Sequence, residues 1–142
     1  MATSNAATTY LENKLLSFLF KNNAGSLSTP GDSIYVGLAT AVSDAEAGSL
    51  TEATFGNYAR QQVTASNWTL TSASDDTQTV KNSANIEFPA STGTSNTITH
   101  AFLVDAASSG NILFIGALDA SKTIATGDIF RINTDNLTIE LK

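Results

Sequence analysis

The longest apolar block of the chain runs from Thr97 to Leu118 and is broken at one place, where Asp105, Ser108, Ser109, Gly110 and Asn111 gather small polar residues. This pattern predicts a β-hairpin. On its first arm Ile98, His100, Phe102 and Val104 fall on one face and Ala101 and Leu103 on the other; on its second arm Ile112, Phe114, Gly116 and Leu118 alternate with Leu113, Ile115 and Ala117. Gly110 suits the turn because it takes positive φ at no steric cost. A hairpin with two apolar faces cannot stand alone in water, so the rest of the chain is read as its cover. Phe114 is expected at the centre of the core, and Gly116 beneath a closely packed second layer.

Helical spacing occurs near the start. Tyr10, Leu11, Leu15, Phe18 and Leu19 share one face, Thr9 and Glu12 fit a T-x-x-E capping box, and Lys21, Asn22 and Asn23 close the run, which predicts one N-terminal α-helix over about residues 9–21. Leu16 and Phe20 widen the apolar arc beyond what a helix lying on a single sheet requires. A broad core-facing stripe is the expected use of that arc, and contact with a second partner is the alternative.

Past a polar connection with Gly25, Pro30 and Gly31, Ile34, Val36 and Leu38 alternate with Tyr35, Gly37 and Ala39 as a strand. Thr40 to Gly56 is small and acidic (Asp44, Glu46, Glu52), and its length reads as a long functional or partner-ordered loop. Tyr58 to Ala65 alternates weakly, Trp68 and Leu70 give a short run, and Thr71 to Thr77 reads as a turn with Asp75 and Asp76 at its tip. Thr79–Lys81 and Ala84–Phe88 are short strands, the latter stopped by Pro89, and Ser91 to Asn96 is a loop. After the hairpin, Ser121 to Asp128 reads as a connection with a Gly127-Asp128 turn, followed by a strand at Ile129–Ile132, a turn at Asp135-Asn136, and Leu137, Ile139 and Leu141 in a last strand. About eight or nine short strands after one helix, with no βαβ alternation, predict a mainly β fold: an antiparallel, jelly-roll-like β-sandwich forming a single domain over 1–142.

Composition narrows the functions. Hydrophobic residues are 42% of the chain and charged ones 14%, so Thr, Ser, Asn and Ala must cover much of the surface, as suits a β protein in an assembly. With 13 acidic against 7 basic side chains, a net charge of -6 and no basic cluster, nothing is present to neutralise phosphates, so nucleic acid is not expected as a partner. The absence of cysteine removes disulfides and thiolate metal sites. No apolar run approaches the roughly 20 residues that span a bilayer, and the N-terminus lacks the basic start and small-residue cleavage site of a signal peptide, so no membrane partner is expected and the chain reads as a soluble cytoplasmic product.

Catalytic constellations are missing. His100 is the only histidine, and no G-x-S-x-G elbow marks a serine for a triad with Asp105 or Asp128. Its mid-strand position on an apolar face suits a core or interface histidine. Zinc would need more His or Cys ligands than the chain has. Asp75 with Asp76, or Asp44 with Glu46, are the only sets to consider for calcium, and neither follows a calcium-loop pattern. No aromatic-lined environment accompanies a carboxylate pair for glycoside hydrolysis, and no glycine-rich phosphate loop is present. The reading is a non-enzyme without metal or cofactor. Arg60 and Arg131, the only arginines, fall in predicted strands, where each suits a bidentate acidic partner inside the domain or across a subunit seam, or else an exposed strand face.

The succession L-E-N-K-L-L-S-F-L-F, I-Y-V-G-L-A-T, E-A-T-F-G-N-Y-A-R-Q, A-N-I-E-F-P-A, T-I-T-H-A-F-L-V-D-A, G-N-I-L-F-I-G-A-L and G-D-I-F-R-I-N-T-D-N-L-T-I resembles small virion proteins of tailed bacteriophages, collinearly over nearly the whole chain. Tyr58-Ala59-Arg60, Thr99-His100 and Gly127-Asp128 are the most specific points of that likeness; the Thr40 to Gly56 stretch departs from it, since a compact proline and glycine turn is usual there. The resemblance implies a β-sandwich that binds other virion proteins. The leading expectation is a capsid cement (decoration) protein on the head surface, bridging subunits of the major capsid protein. A tail fibre or tail-associated adaptor, with an exposed loop as a host-glycan site in one variant, is the alternative. Leu11, Leu15, Leu16, Phe18 and Phe20 of the helix, with Arg60 and Arg131, are the candidate interface residues, and a homo-oligomer is expected, a trimer before a dimer.

Overall fold

A computed structural model describes residues 5–22, 33–72 and 78–141. In chain order the described elements are β1 (Ala6–Ala7), α1 (Thr9–Phe20), β2 (Tyr35–Asp44), β3 (Ser49–Glu52), β4 (Gln61–Gln62), a 3-10 turn (Ala65–Asn67), β5 (Trp68–Ser72), β6 (Gln78–Asn82), β7 (Ile86–Glu87), β8 (Asn96–Val104), β9 (Ile112–Ile124), β10 (Arg131–Ile132) and β11 (Thr138–Leu141). All pairings are antiparallel. A six-stranded sheet runs β1-β9-β8-β2-β3, with β4 beside β2 as well; β11-β6-β5 form a second sheet and β10-β7 a small third one. The architecture is the predicted mainly β, antiparallel β-sandwich with one N-terminal helix.

The hairpin predicted from the apolar block is β8 and β9, and it sits at the centre of the large sheet. It is longer than expected: β9 continues through Ser121 to Ile124, where a connection was predicted, and Asn96, Thr97 and Ile98 pair with Ile124, Thr123 and Lys122. The hydroxyls of Thr97 and Thr123 meet across the pair at 3.1 Å. Polar residues on an exposed strand face look like a loop in sequence, which is why this extension was hidden.

The pairing is irregular between Ile98 and His100, opposite the stretch from Lys122 back to Ala117. Because side chains alternate with period two, an odd residue in the ladder reverses which face each one occupies. Ile98 therefore joins Ala101 and Leu103 in the main core instead of sharing the face of Phe102 and Val104. The large sheet consequently has a core on each side. One, between it and the smaller sheets, contains Val36, Leu38, Ile98, Leu103, Ile86, Phe88 and Phe130; the other, on its outer face, is built from Ala39, Ala45, Phe102, Val104 and Ile115.

The Thr40 to Gly56 stretch is not a long loop. β2 continues to Asp44, turns through Ala45–Gly48 and returns as β3. The turn is local chemistry: Asp44 Oδ1 accepts from the Ala47 amide at 3.1 Å, and Gly48 takes φ +70°. Small residues alternate there between half-buried and exposed, a pattern too weakly apolar to register as strands. Short β4, β7 and β10 likewise replace longer predicted strands at Tyr58–Ala65, Ala84–Phe88 and Ile129–Ile132, since much of each segment is held by isolated backbone bonds such as Phe88 N–H to Phe130 O at 2.9 Å. The Gly127-Asp128 turn is present, with Gly127 at φ +89°.

Two expectations about the hairpin change. Phe114 is half-buried at the margin of the main core, while Ile115 and Phe102 are buried. Gly116 has open space above it, a Cβ there meeting only Asn5 Oδ1 at 3.9 Å, whereas one on Gly37 would run into the ring of Phe102, its partner across β2 and β8. The close approach that demands glycine is therefore at Gly37. Phe102→Ala should cost about 3–5 kcal/mol in chemical denaturation and Phe114→Ala clearly less. Gly37→Ala should destabilise by overpacking and Gly116→Ala should leave the midpoint unchanged; the reverse order would refute this packing.

Candidate functional site

Helix α1 is set by buried Thr8, not by Thr9 as the capping-box pattern suggested. The Thr8 hydroxyl donates to Ile112 O at 2.6 Å and accepts from the Leu11 amide at 3.4 Å, and the Thr8 and Thr9 amides donate to Leu113 O and Glu46 O. The helix is thereby fastened at its first turn to the start of β9 and to the β2–β3 turn. It ends at Lys21, whose amide bonds Ser17 O, before Asn22 turns at φ +49°.

No residue of α1 is buried. Leu11 is half-buried, while Leu15, Leu16, Phe18, Leu19 and Phe20 retain between 41% and 77% of their surface in contact with solvent. The core-facing stripe expected from the sequence is overturned: the helix is held to the sheet at its first turn, and none of the described residues buries its apolar arc. Five large apolar side chains on one twelve-residue helix are an unpartnered surface of the kind that marks a protein contact.

Arg60 is placed very differently. Its Nε and Nη2 donate to the two carboxylate oxygens of Glu52, both at 2.8 Å, and its Nη1 donates to Ala106 O at 2.9 Å and Ser109 O at 2.7 Å. The guanidinium also lies over the Phe102 ring, 5.4 Å from its centre. Tyr58 completes the group by donating its hydroxyl to Glu52 Oε1 at 2.8 Å while accepting from the Leu38 amide at 2.9 Å. The Arg60 side chain is only 9% exposed, so its acidic partner is inside the domain. Burial on its own would raise the Glu52 pKa, but the hydrogen bonds from Arg60 and Tyr58 and the charge of Arg60 outweigh it and hold the carboxyl below its ordinary value. The Tyr58 phenol is pushed up, mainly by burial and by its acceptor Glu52.

Arg131 is in β10, as a strand-face arginine, and donates from Nε to Glu87 Oε2 at 2.7 Å, pairing directly across to β7. Both side chains are about half exposed, and such a pair contributes little to stability. The structure thus leaves the five helical candidates together on α1, four of them exposed, with Arg60 inside the domain and Arg131 on a different sheet.

His100 sits in β8 between Ala39 and Ala117, its Nδ1 at 2.8 Å from the Thr99 hydroxyl and its Nε2 buried without a partner; burial lowers its pKa and favours the neutral ring. The carboxylates considered for a triad are engaged elsewhere: Asp105 holds the Asn111 amide and side chain, and Asp128 holds the Ala125 amide. Asp44 caps its own turn, and Asp75 and Asp76 lie outside the described residues. Among the described residues no three His, Cys, Asp or Glu side chains gather in the manner of a metal site.

Two features carried no warning in the sequence. Buried Asn82 donates to Ala84 O and Asn133 O and accepts from the Leu137 amide, pinning the last turn against β6. An open cleft of about 1250 Å³ runs along β9 from Phe114 to Ile124, walled on its far side by residues of β10 and β11. Both depend on pairings between segments distant in the chain.

The family model described as Podophage GP4 fiber I protein gp80 matches residues 6–140, nearly the whole of the 142-residue chain. The chain belongs to this family. It is a structural protein of a bacteriophage virion, from a family named for a fibre, and the fold elements that carried the resemblance now have physical roles. Tyr58-Ala59-Arg60 supplies the partly buried hydrogen-bonded group, Thr99-His100 stands where the β8–β9 ladder is irregular, and Gly127-Asp128 forms a tight turn. A comparison with curated proteins gives no match.

The depressed Glu52 pKa fixes the sign of a pH effect in this gp80-family chain. Its stabilisation is complete above the unfolded-state pKa of about 4.5 and is lost as pH falls through the lower folded value. Wild type should therefore exceed Glu52→Gln in stability at neutral pH by a margin that shrinks below pH about 4.5. A margin independent of pH in denaturant titrations would contradict the ion pair.

Proposed function

We propose that this chain is a structural module of the phage tail, part of or attached to a fibre, that works as a homo-oligomer through protein–protein contacts and performs no catalysis. The observation that carries this reading is α1: a helix anchored at one end, with no buried side chain and its apolar arc outward, on a chain of a fibre family. Apolar contacts suit it, because charged residues are few and the net charge of -6 disfavours nucleic acid. Among the described residues no helix is long and apolar enough to cross a membrane. A trimer is the favoured closed form, with a dimer as the competitor. Its partners are other virion proteins.

Capsid cement is the second reading. It is favoured by the absence of an internal repeat or shaft-like region in the sequence, which a fibre subunit often has. The two readings differ in where the protein travels. When virions are broken and heads are separated from tails, the protein should follow the tails in numbers set by tail symmetry, and purified protein should bind tails equally well at low and high salt. Recovery with heads, in numbers comparable to the capsid subunits, would establish cement instead. A screen against bacterial polysaccharides should show no hydrolysis, and a chelator should leave the melting temperature unchanged.

A further inference from the structure

The cleft along β9 is a place where the main core reaches the surface. Phe114, Leu118, Leu137 and Ile139 pack against that core yet are only half-buried, and all four line the cleft. On this side β9 is covered by β1 only at Phe114 and Ile115. Among the described residues, therefore, nothing covers the apolar ridge of α1 and nothing fills the apolar groove along β9.

The two fit in length and in sign. A twelve-residue helix is about 18 Å long, and the stretch of β9 that lines the cleft, from Phe114 to Ile124, is longer than that at about 3.3 Å per residue. On the rim Asp119, Asp128 and Glu140 outnumber Lys122 and Arg131, and Arg131 is already held by Glu87. On the helix and its C-cap Lys14 and Lys21 outnumber Glu12. A protomer's own helix is directed elsewhere: the Thr8 and Thr9 bonds fix its start at Ile112, Leu113 and Glu46, while the cleft extends from Phe114 the opposite way, toward Ile124.

We propose that α1 of one copy seats in the β9–β11 cleft of the next copy. This deepens the homo-oligomer part of the reading above by assigning its two contacting surfaces. Ridge and groove are different surfaces, so the contact is head-to-tail; it closes into a ring when the rotation between copies permits, and every copy then has both surfaces covered. It also buries the large apolar residues of the helix and the exposed margin of the core in one step.

The chain has no cysteine, so introduced thiols report this contact alone. Leu16→Cys on the helix and Leu141→Cys at the cleft both replace exposed side chains. Mixed and treated with a short bismaleimide, the two variants should give a cross-linked dimer that neither gives alone, and the double variant should give a ladder ending at the ring size. Cross-linking of Leu16→Cys with itself would mean that helices pair with helices and would overturn the proposal, as would a wild type that sediments as a monomer. Leu16→Asp should sediment as a monomer whose melting temperature, unlike that of wild type, does not depend on protein concentration; should it fail to fold, the cysteine pair decides. Recovery from heads or tails is a separate measurement, so failure of this contact and failure of the fibre reading are distinguishable.

Discussion

The fold turns on one partly buried charge pair. Arg60 spans Glu52 on β3 and the carbonyls of Ala106 and Ser109 in the β8–β9 turn, segments 46 and 49 residues further along, and it roofs the Phe102 ring that fills the space above Gly37. Removing an arginine from water is costly, and the cost is offset only when its donors are met with good geometry. Here Nε, Nη1 and Nη2 all find acceptors, with the carboxylate held bidentately and Tyr58 bonding its Oε1. Loss of either charge would strand the other, so the pair behaves as a clamp on register: it joins the β3 edge, the centre of the sheet through Leu38, and the hairpin tip.

Much of this fold was legible in the sequence because it depends on near neighbours. The central hairpin followed from alternation around Asp105 to Asn111, and the helix from the spacing of Leu11, Leu15 and Phe18 with threonine at its start. What escaped depends on long-range pairing. The ladder irregularity opposite Thr99 moves Ile98 to the other face, and no local pattern announces it. The hairpin of β2 and β3 is built from Ala, Ser, Thr and Asp, whose strand character comes from the partner strand rather than from their own apolarity. Asn82 reads as an ordinary polar residue until the turn from Asn133 to Leu137 folds over it.

The candidate surface was legible in composition and misread in direction. The width of the apolar arc on α1 indicated more apolar surface than one sheet would cover, and that excess is present. Which way the arc faces is decided by Thr8, whose bonds to Ile112 and Leu11 aim the helix, and a one-residue shift of the cap turns a helix by roughly 100° about its axis. Arg60 and Arg131 were indistinguishable as sequence. In the fold one is enclosed by the turn at Ala106 and Ser109 and the other lies exposed beside Glu87, a difference made entirely by what pairs with the neighbouring strands.

The anchoring of α1 also sets an order of events during synthesis. Thr8 is held by Ile112, 104 residues later, and Asn5 by the Ala117 amide, 112 residues later. Until that part of the chain leaves the ribosome, only the bond from the Thr9 amide to Glu46 O is open to the helix, and closing the long loop to β9 is the last entropic step rather than the first. The sheet that aims α1 and the cleft along β9 therefore mature together, so a nascent chain cannot present one finished surface without the other.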